Sequence, residues 1–208
     1  MHSYNNLADV GVFYIGGSGL PPQVGATSPD GKLGAELSKS AGTLKLRTEN
    51  GDVIATVGRN AQSTAFDSTS TRLAVGNADG AVQIWDVAAR PVKLVRTFVA
   101  HNSFVDGVAF SKDGRYLATA GEDTTATVWD LRSGRELLTL TGPTRYLTSV
   151  VFSPDGRRLA TGSADGAVRV YVLPVDELET VARSRLTRGW TTEECAQYLP
   201  GGRCPQRP

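Results

Sequence analysis

Cysteine is nearly missing from this chain. Cys195 and Cys204 are the two in 208 residues, and both lie close to the C-terminal end. A fold stapled by disulfides spreads its cysteines through the sequence, so a bridge framework is excluded and a reducing, cytoplasmic setting is the expectation. Whether the two pair with each other stays open. Histidine is as scarce, with His2 and His101 alone. With the cysteines confined to the tail, no group has metal-ligand spacing, and neither a metal nor another cofactor is expected. Excess charge is missing too: 22 Lys and Arg face 21 Asp and Glu, for a net charge of +1. Duplex binding draws much of its affinity from neutralised phosphates, so nucleic acid is not an expected partner. No apolar run approaches the roughly 20 residues of a membrane span. The opening "MHSYNNLADVGVFYIGG" has no basic stretch ahead of its apolar patch, so it does not read as a signal peptide. No membrane partner is expected.

What is present is ordinary globular material, with 40% hydrophobic and 21% charged residues. It is also repetitive. "VVFSPDGRRLATGSADGAVRVY" (150–171) has the cadence of "GVAFSKDGRYLATAGEDTTATVW" and "STAFDSTSTRLAVGNADGAVQIW". Phe66, Phe110 and Phe152 are 44 and 42 residues apart. Leu73, Leu117 and Leu159 keep that spacing, as do Trp85, Trp129 and Tyr171. A period in the low forties marks one supersecondary unit repeated in space.

Each copy reads as short strands. "SVVF" and "GVAF" are apolar runs of the kind buried on both faces, and "SPDG" and "SKDG" are turns in which Gly accepts positive φ. "RLATGS" is a second strand, and "ADG" or "EDT" a second tight turn. "AVRVY" and "AVQIW" alternate as a third strand should. "KLVRTF" (93–98) and "ELLTL" (136–140) supply a fourth. Four antiparallel strands per unit make one blade of a β-propeller, an all-β fold. A worn fourth copy, "VGATSPDGKLGAELSKSAGTLKLRT", precedes the others and has Arg47 where Trp is expected.

With Trp85–Asp86 and Trp129–Asp130 closing third strands, residues 24–173 resemble the WD40 repeat proteins. The resemblance implies about four blades, at 24–58, 59–100, 101–142 and 143–173. It also implies a buried structural relay of His, Ser or Thr, Asp and Trp. One blade has all four: His101, Thr119, Asp123 and Trp129. The second blade keeps Asp79 and Trp85 but has Val57 and Val75 at the other two positions. The last keeps Thr161 and Asp165, with Pro143 and Tyr171 replacing His and Trp. Propellers hold about 4–8 blades. Four blades then form either part of a larger ring, the favoured expectation, or a ring closed by the N-terminal strand "VGVFYIG" (10–16). Residues 1–23 otherwise read as a strand and flexible linker.

After Pro174 the pattern becomes helical: Leu178, Val181, Ala182 and Leu186 share one face, and Thr191 with Glu194 begins a second helix. Residues 174–199 are therefore a helical segment and 200–208 a disordered tail. The stretch from 176 to 199 resembles the closing segment of large bacterial WD40 signalling proteins that carry NTPase, kinase or caspase-like modules.

No catalytic residue is expected. "GATSPDGKL" imitates a phosphate loop but has Leu33 where Ser or Thr must bind magnesium. Asp79, Asp123 and Asp165 recur at equivalent points of different blades, which the repeat explains as turn residues. The expected function is a non-enzymatic scaffold that binds a protein or peptide. The alternative is a detached regulatory segment of a multidomain signalling NTPase, kinase or caspase-like protein. Candidate contacts are Phe104 in "HNSFVDG" and Arg145 with Tyr146 in "GPTRYLT", which occupy equivalent linkers. Aromatic and Arg side chains make the best anchors, although Phe104 and Tyr146 also suit packing between blades. Open blade edges add self-association to the expected contacts.

Overall fold

The computed structural model describes residues 25–38, 42–58 and 60–173. The expected strand at 10–16, the helical segment at 174–199 and the tail at 200–208 lie outside the described residues. Four antiparallel sheets follow one another along the chain. The first holds β1 (Gly25–Thr27), β2 (Leu33–Ser38), β3 (Thr43–Thr48) and β4 (Val53–Val57). The second holds β5 (Ala61–Phe66), β6 (Arg72–Asn77), β7 (Ala81–Asp86) and β8 (Lys93–Val99). In the third are β9 (Val105–Phe110), β10 (Tyr116–Gly121), β11 (Ala126–Asp130) and β12 (Arg135–Leu140). The fourth has three described strands, β13 (Leu147–Phe152), β14 (Arg158–Ser163) and β15 (Val168–Val172). The backbone divides after Tyr171 into this repeat unit and a C-terminal unit, of which residues 172–173 are described.

The hairpin between the first two strands of a blade is built by one small motif. Ser28, Ser111 and Ser153 each accept the backbone N–H five residues on, at 2.9 Å. Each hydroxyl in turn donates to the Asp two residues on, at 2.7 Å for Asp30 and 2.6 Å for Asp113. Gly31, Gly114 and Gly156 then take the positive φ that reverses the chain. In the second blade Asp67 does both tasks, accepting from Thr71 N, Arg72 N and the Arg72 guanidinium at 2.9–3.0 Å.

The third and fourth strands of the first three sheets share a register shift at one equivalent point: Leu46/Arg47, Ile84/Trp85 and Val128/Trp129. Such a bulge adds a residue to the outer strand and bends it.

Sheets stack in chain order, β1 and β2 against β5, β5 and β6 against β9, and β9 and β10 against β13. Between the first two lie Ala35, Leu37, Leu44 and Leu46 on one side and Leu73 and Val75 on the other. Ala74, Val82 and Ile84 then face Val105, Leu117 and Trp129 of the third sheet. Each buried Val or Leu stabilises the stack by roughly 1.5–3 kcal/mol. One expectation needs correcting. "GVAF" in β9 is largely buried, but in β13 Thr148 and Ser149 are exposed, because no described element covers that face of the fourth sheet.

Candidate functional site

The third blade assembles its four relay residues. His101 arrives on the linker before β9, Thr119 stands on β10, Asp123 in the β10–β11 turn and Trp129 on β11. The Trp129 indole N–H donates to Thr119 Oγ1 at 3.2 Å, and the Thr119 hydroxyl is hydrogen-bonded to His101 Nε2 at 2.8 Å and donates to the Thr127 carbonyl at 3.4 Å. His101 Nδ1–H donates to the Asp123 carboxylate, 3.0 Å from Oδ1. An ionised carboxylate can only accept, so Nδ1 carries the proton of this bond. Burial pushes the Asp123 carboxyl up, but hydrogen bonds from Thr125 and the Asn102 amide, together with His101, hold it below the ordinary value.

Two participants carry no signal in the repeat pattern. The Thr125 hydroxyl donates to Asp123 Oδ1 at 2.7 Å and lies 3.2 Å from His101 Nδ1. Gly121 leaves room for the imidazole: a Cβ there would sit 2.4 Å from His101 Nδ1.

The incomplete blades differ in how they manage without the His. In the second, Val57 and Val75 are buried, and the Trp85 indole nitrogen and Gln83 Oε1 have no hydrogen-bond partner. In the fourth, Thr161 Oγ1 is likewise unpartnered, with buried Pro143 at the His position. There Arg169 has taken over Asp165, with Nη2 2.9 Å from Oδ2. That guanidinium, together with the Thr144 and Ala167 amides, holds the Asp165 carboxyl far below the ordinary value. Asp165 still accepts from Thr144 N at 3.1 Å, as Asp123 does from Asn102 N at 3.1 Å. All three turn carboxylates, Asp79, Asp123 and Asp165, accept the amide two residues on at 2.9–3.1 Å.

The candidate contact residues lie at the same end of the strands as these turns. The Phe104 carbonyl accepts from Glu122 N at 2.9 Å and the Tyr146 carbonyl from Ala164 N at 2.9 Å. Asn60 is the second-blade equivalent, its carbonyl accepting from Ala78 N at 2.8 Å. Phe104 and Tyr146 are each 41% exposed. The Arg145 guanidinium lies over the Tyr146 ring, 5.8 Å from its centroid, a cation–π arrangement. Ser103 donates to Glu122 Oε2 at 3.1 Å, placing a carboxylate beside Phe104 that sequence reading passed over.

Stacked four-stranded antiparallel sheets with a His–Thr–Trp–Asp relay define a blade-repeat protein. The chain belongs to the WD40 family: the model of the WD domain, G-beta repeat, matches residues 50–86, 92–130 and 134–171. Nuclear distribution protein PAC1-1 of Uncinocarpus reesii is 35% identical over 77 residues, 36% of this chain and 17% of that protein. Guanine nucleotide-binding protein subunit beta of Zea mays is 34% identical over 36% of this chain and 20% of its own length. Small ribosomal subunit protein RACK1 of Caenorhabditis elegans is 33% identical over 48% of this chain and 30% of its length. The solved structure of U3-55K superposes with a TM-score of 0.65 at 21% identity, covering 73% of this chain and 48% of that one. The chain thus spans less than a third of each of these sequence relatives and about half of the solved structure.

Proposed function

We propose that the chain is a non-catalytic scaffold that presents one rim of its blades to a protein or peptide partner, in a reducing, cytoplasmic setting. The observation that carries this reading is the repeated placement of Phe104 and Tyr146. Two aromatic side chains stand half-exposed at equivalent points of successive blades, on backbone pinned by equivalent hydrogen bonds. Such anchors lose little entropy on binding, because their framework is already ordered. Arg145, over Tyr146, adds a cation suited to a carboxylate of the partner, and Glu122, beside Phe104, adds the opposite charge. A peptide of mixed charge with apolar side chains between the charges fits this pattern. The alternative of a detached signalling segment rests on residues 176–199, which lie outside the family match.

Peptides selected from a random library on the full chain test the proposal. Phe104→Ala and Tyr146→Ala should each weaken the selected peptides about thirtyfold, the loss typical of an anchor of about 2 kcal/mol. Melting temperatures should stay near that of the parent. Peptides that bind both variants as well as the parent overturn the assignment.

A further inference from the structure

Consecutive strands pair antiparallel within each sheet, so the turns alternate between its two ends. The turns after first and third strands lie at one end. The turns after second strands share the other with the linkers between blades. Charge is sorted between these ends. Among the described residues from 60 to 173, nine Lys and Arg face six Asp and Glu at the first end, in its turns and within two residues of them. At the other end, where Phe104 and Tyr146 stand, two Arg face five Asp and Glu. The net charge of +1 conceals this division.

On the third blade two turns bring such cations together. Lys112 and Arg115 belong to the β9–β10 turn and Arg132 to the β11–β12 turn, and all three are exposed. The Leu131 amide donates to the Arg115 carbonyl at 2.9 Å, which sets the two turns side by side. Asp130 lies between them. Its Oδ1 accepts from the amides of Arg132 and Ser133 at 2.8 and 3.1 Å, while the Arg115 guanidinium stands 3.5 Å from Oδ2. That guanidinium also lies over the Tyr116 ring, 5.0 Å from its centroid, with 58% of the side chain exposed. Arg115 is thus oriented by a ring and a loose ion pair, and remains open to a second carboxylate. The backbone beneath is stitched to the second blade. Ser68 Oγ donates to the Lys112 carbonyl and Arg72 Nη2 to the Gly114 carbonyl, both at 2.8 Å.

The surroundings select the anion. Asp113, Asp130 and Asp155 interrupt the cations of this end and would repel an unbroken row of phosphates. The exposed aromatics among the described residues, Phe104 and Tyr146, stand at the opposite end, out of reach for stacking bases. Arg side chains match single carboxylates with paired hydrogen bonds. We propose that this end of the third blade, through Lys112, Arg115 and Arg132, binds an acidic segment of a partner protein. The surface is separate from the rim proposed above, at the other end of the same strands.

Fluorescence anisotropy of a labelled oligo-glutamate peptide, titrated with the full chain, tests it. The peptide should bind, and added salt should weaken the binding. Arg115→Gln and Arg132→Gln, at exposed positions that leave the fold intact by circular dichroism, should each raise the dissociation constant about threefold, and together about tenfold. Lys45→Gln removes the same charge from the first sheet and should leave it unchanged. Absence of binding, or binding that salt does not weaken, overturns the proposal. An equal loss in Lys45→Gln overturns it too, since net charge alone would then attract the peptide. So does a labelled oligothymidylate that binds through Arg115 and Arg132 as tightly as the peptide, which would make the surface a nucleic-acid site.

Discussion

His101 joins two groups that depend on it, the Thr119 hydroxyl inside the third blade and the Asp123 carboxylate at its turn. His101→Ala leaves the Thr119 hydroxyl and the Asp123 carboxylate short of a partner, and a stranded buried group costs about 1–3 kcal/mol. Urea denaturation should show a loss of that size. Gly121→Ala should cost as much with all four relay residues still present, because its Cβ would lie 2.4 Å from Nδ1 and 2.5 Å from Cγ of the imidazole and displace the ring. Unchanged midpoints for both variants would remove the relay from the account. The four relay positions were legible through the family resemblance, which names the residue types that the repeat alignment then locates. Gly121 and Thr125 were not, since clearance over a ring and a third contact on a carboxylate exist only once the strands are folded. The Trp85 indole is unpartnered because buried Val75 stands where the third blade has the accepting Thr119.

Among the elements, the tight turn after each second strand separates the blades. Gly80 and Gly166 occupy the positive-φ position in the second and fourth blades, and Thr124 occupies it in the third, at φ 71°. A left-handed backbone costs a side chain roughly 1–2 kcal/mol, partly offset by the flexibility that Gly adds to the unfolded chain. Thr124→Gly should therefore stabilise the protein by about 0.5–1 kcal/mol, read as a rise in the denaturation midpoint. A lower midpoint would mean that Thr124 makes a contribution beyond its backbone. Strands and turns were readable here because alternation and Ser-x-Asp-Gly are local signals. The bareness of the fourth sheet was not, because "AVRVY" and "AVQIW" carry the same alternation. A strand's pattern says which side is apolar, and the neighbour decides whether that side is covered.

At the scale of the whole molecule, the described carboxylates act together. Asp113 and Asp155 are held low by the Ser hydroxyl and backbone amides of their own turns. Burial pushes Asp67 and Asp123 up, and hydrogen bonds to each more than offset it. Asp165 is lowered by Arg169. Groups with depressed folded-state values contribute stability that is complete above their unfolded value of about 4 and is lost as pH falls through the folded values. The melting temperature should fall steadily between about pH 4 and pH 2; a rise over that range would reverse the sign and contradict the assignments. The scaffold reading, however, depends most on rigidity of the rim, and hydrogen exchange measures that directly. Glu122 N–H donates to the Phe104 carbonyl and Ala164 N–H to that of Tyr146, both at 2.9 Å. The account predicts that the Glu122 amide exchanges as slowly as the core of β10, with Ala164 less protected on the barer fourth blade. A Glu122 amide that exchanges at the rate of an open loop would show that Phe104 stands on a mobile segment, and would contradict the account.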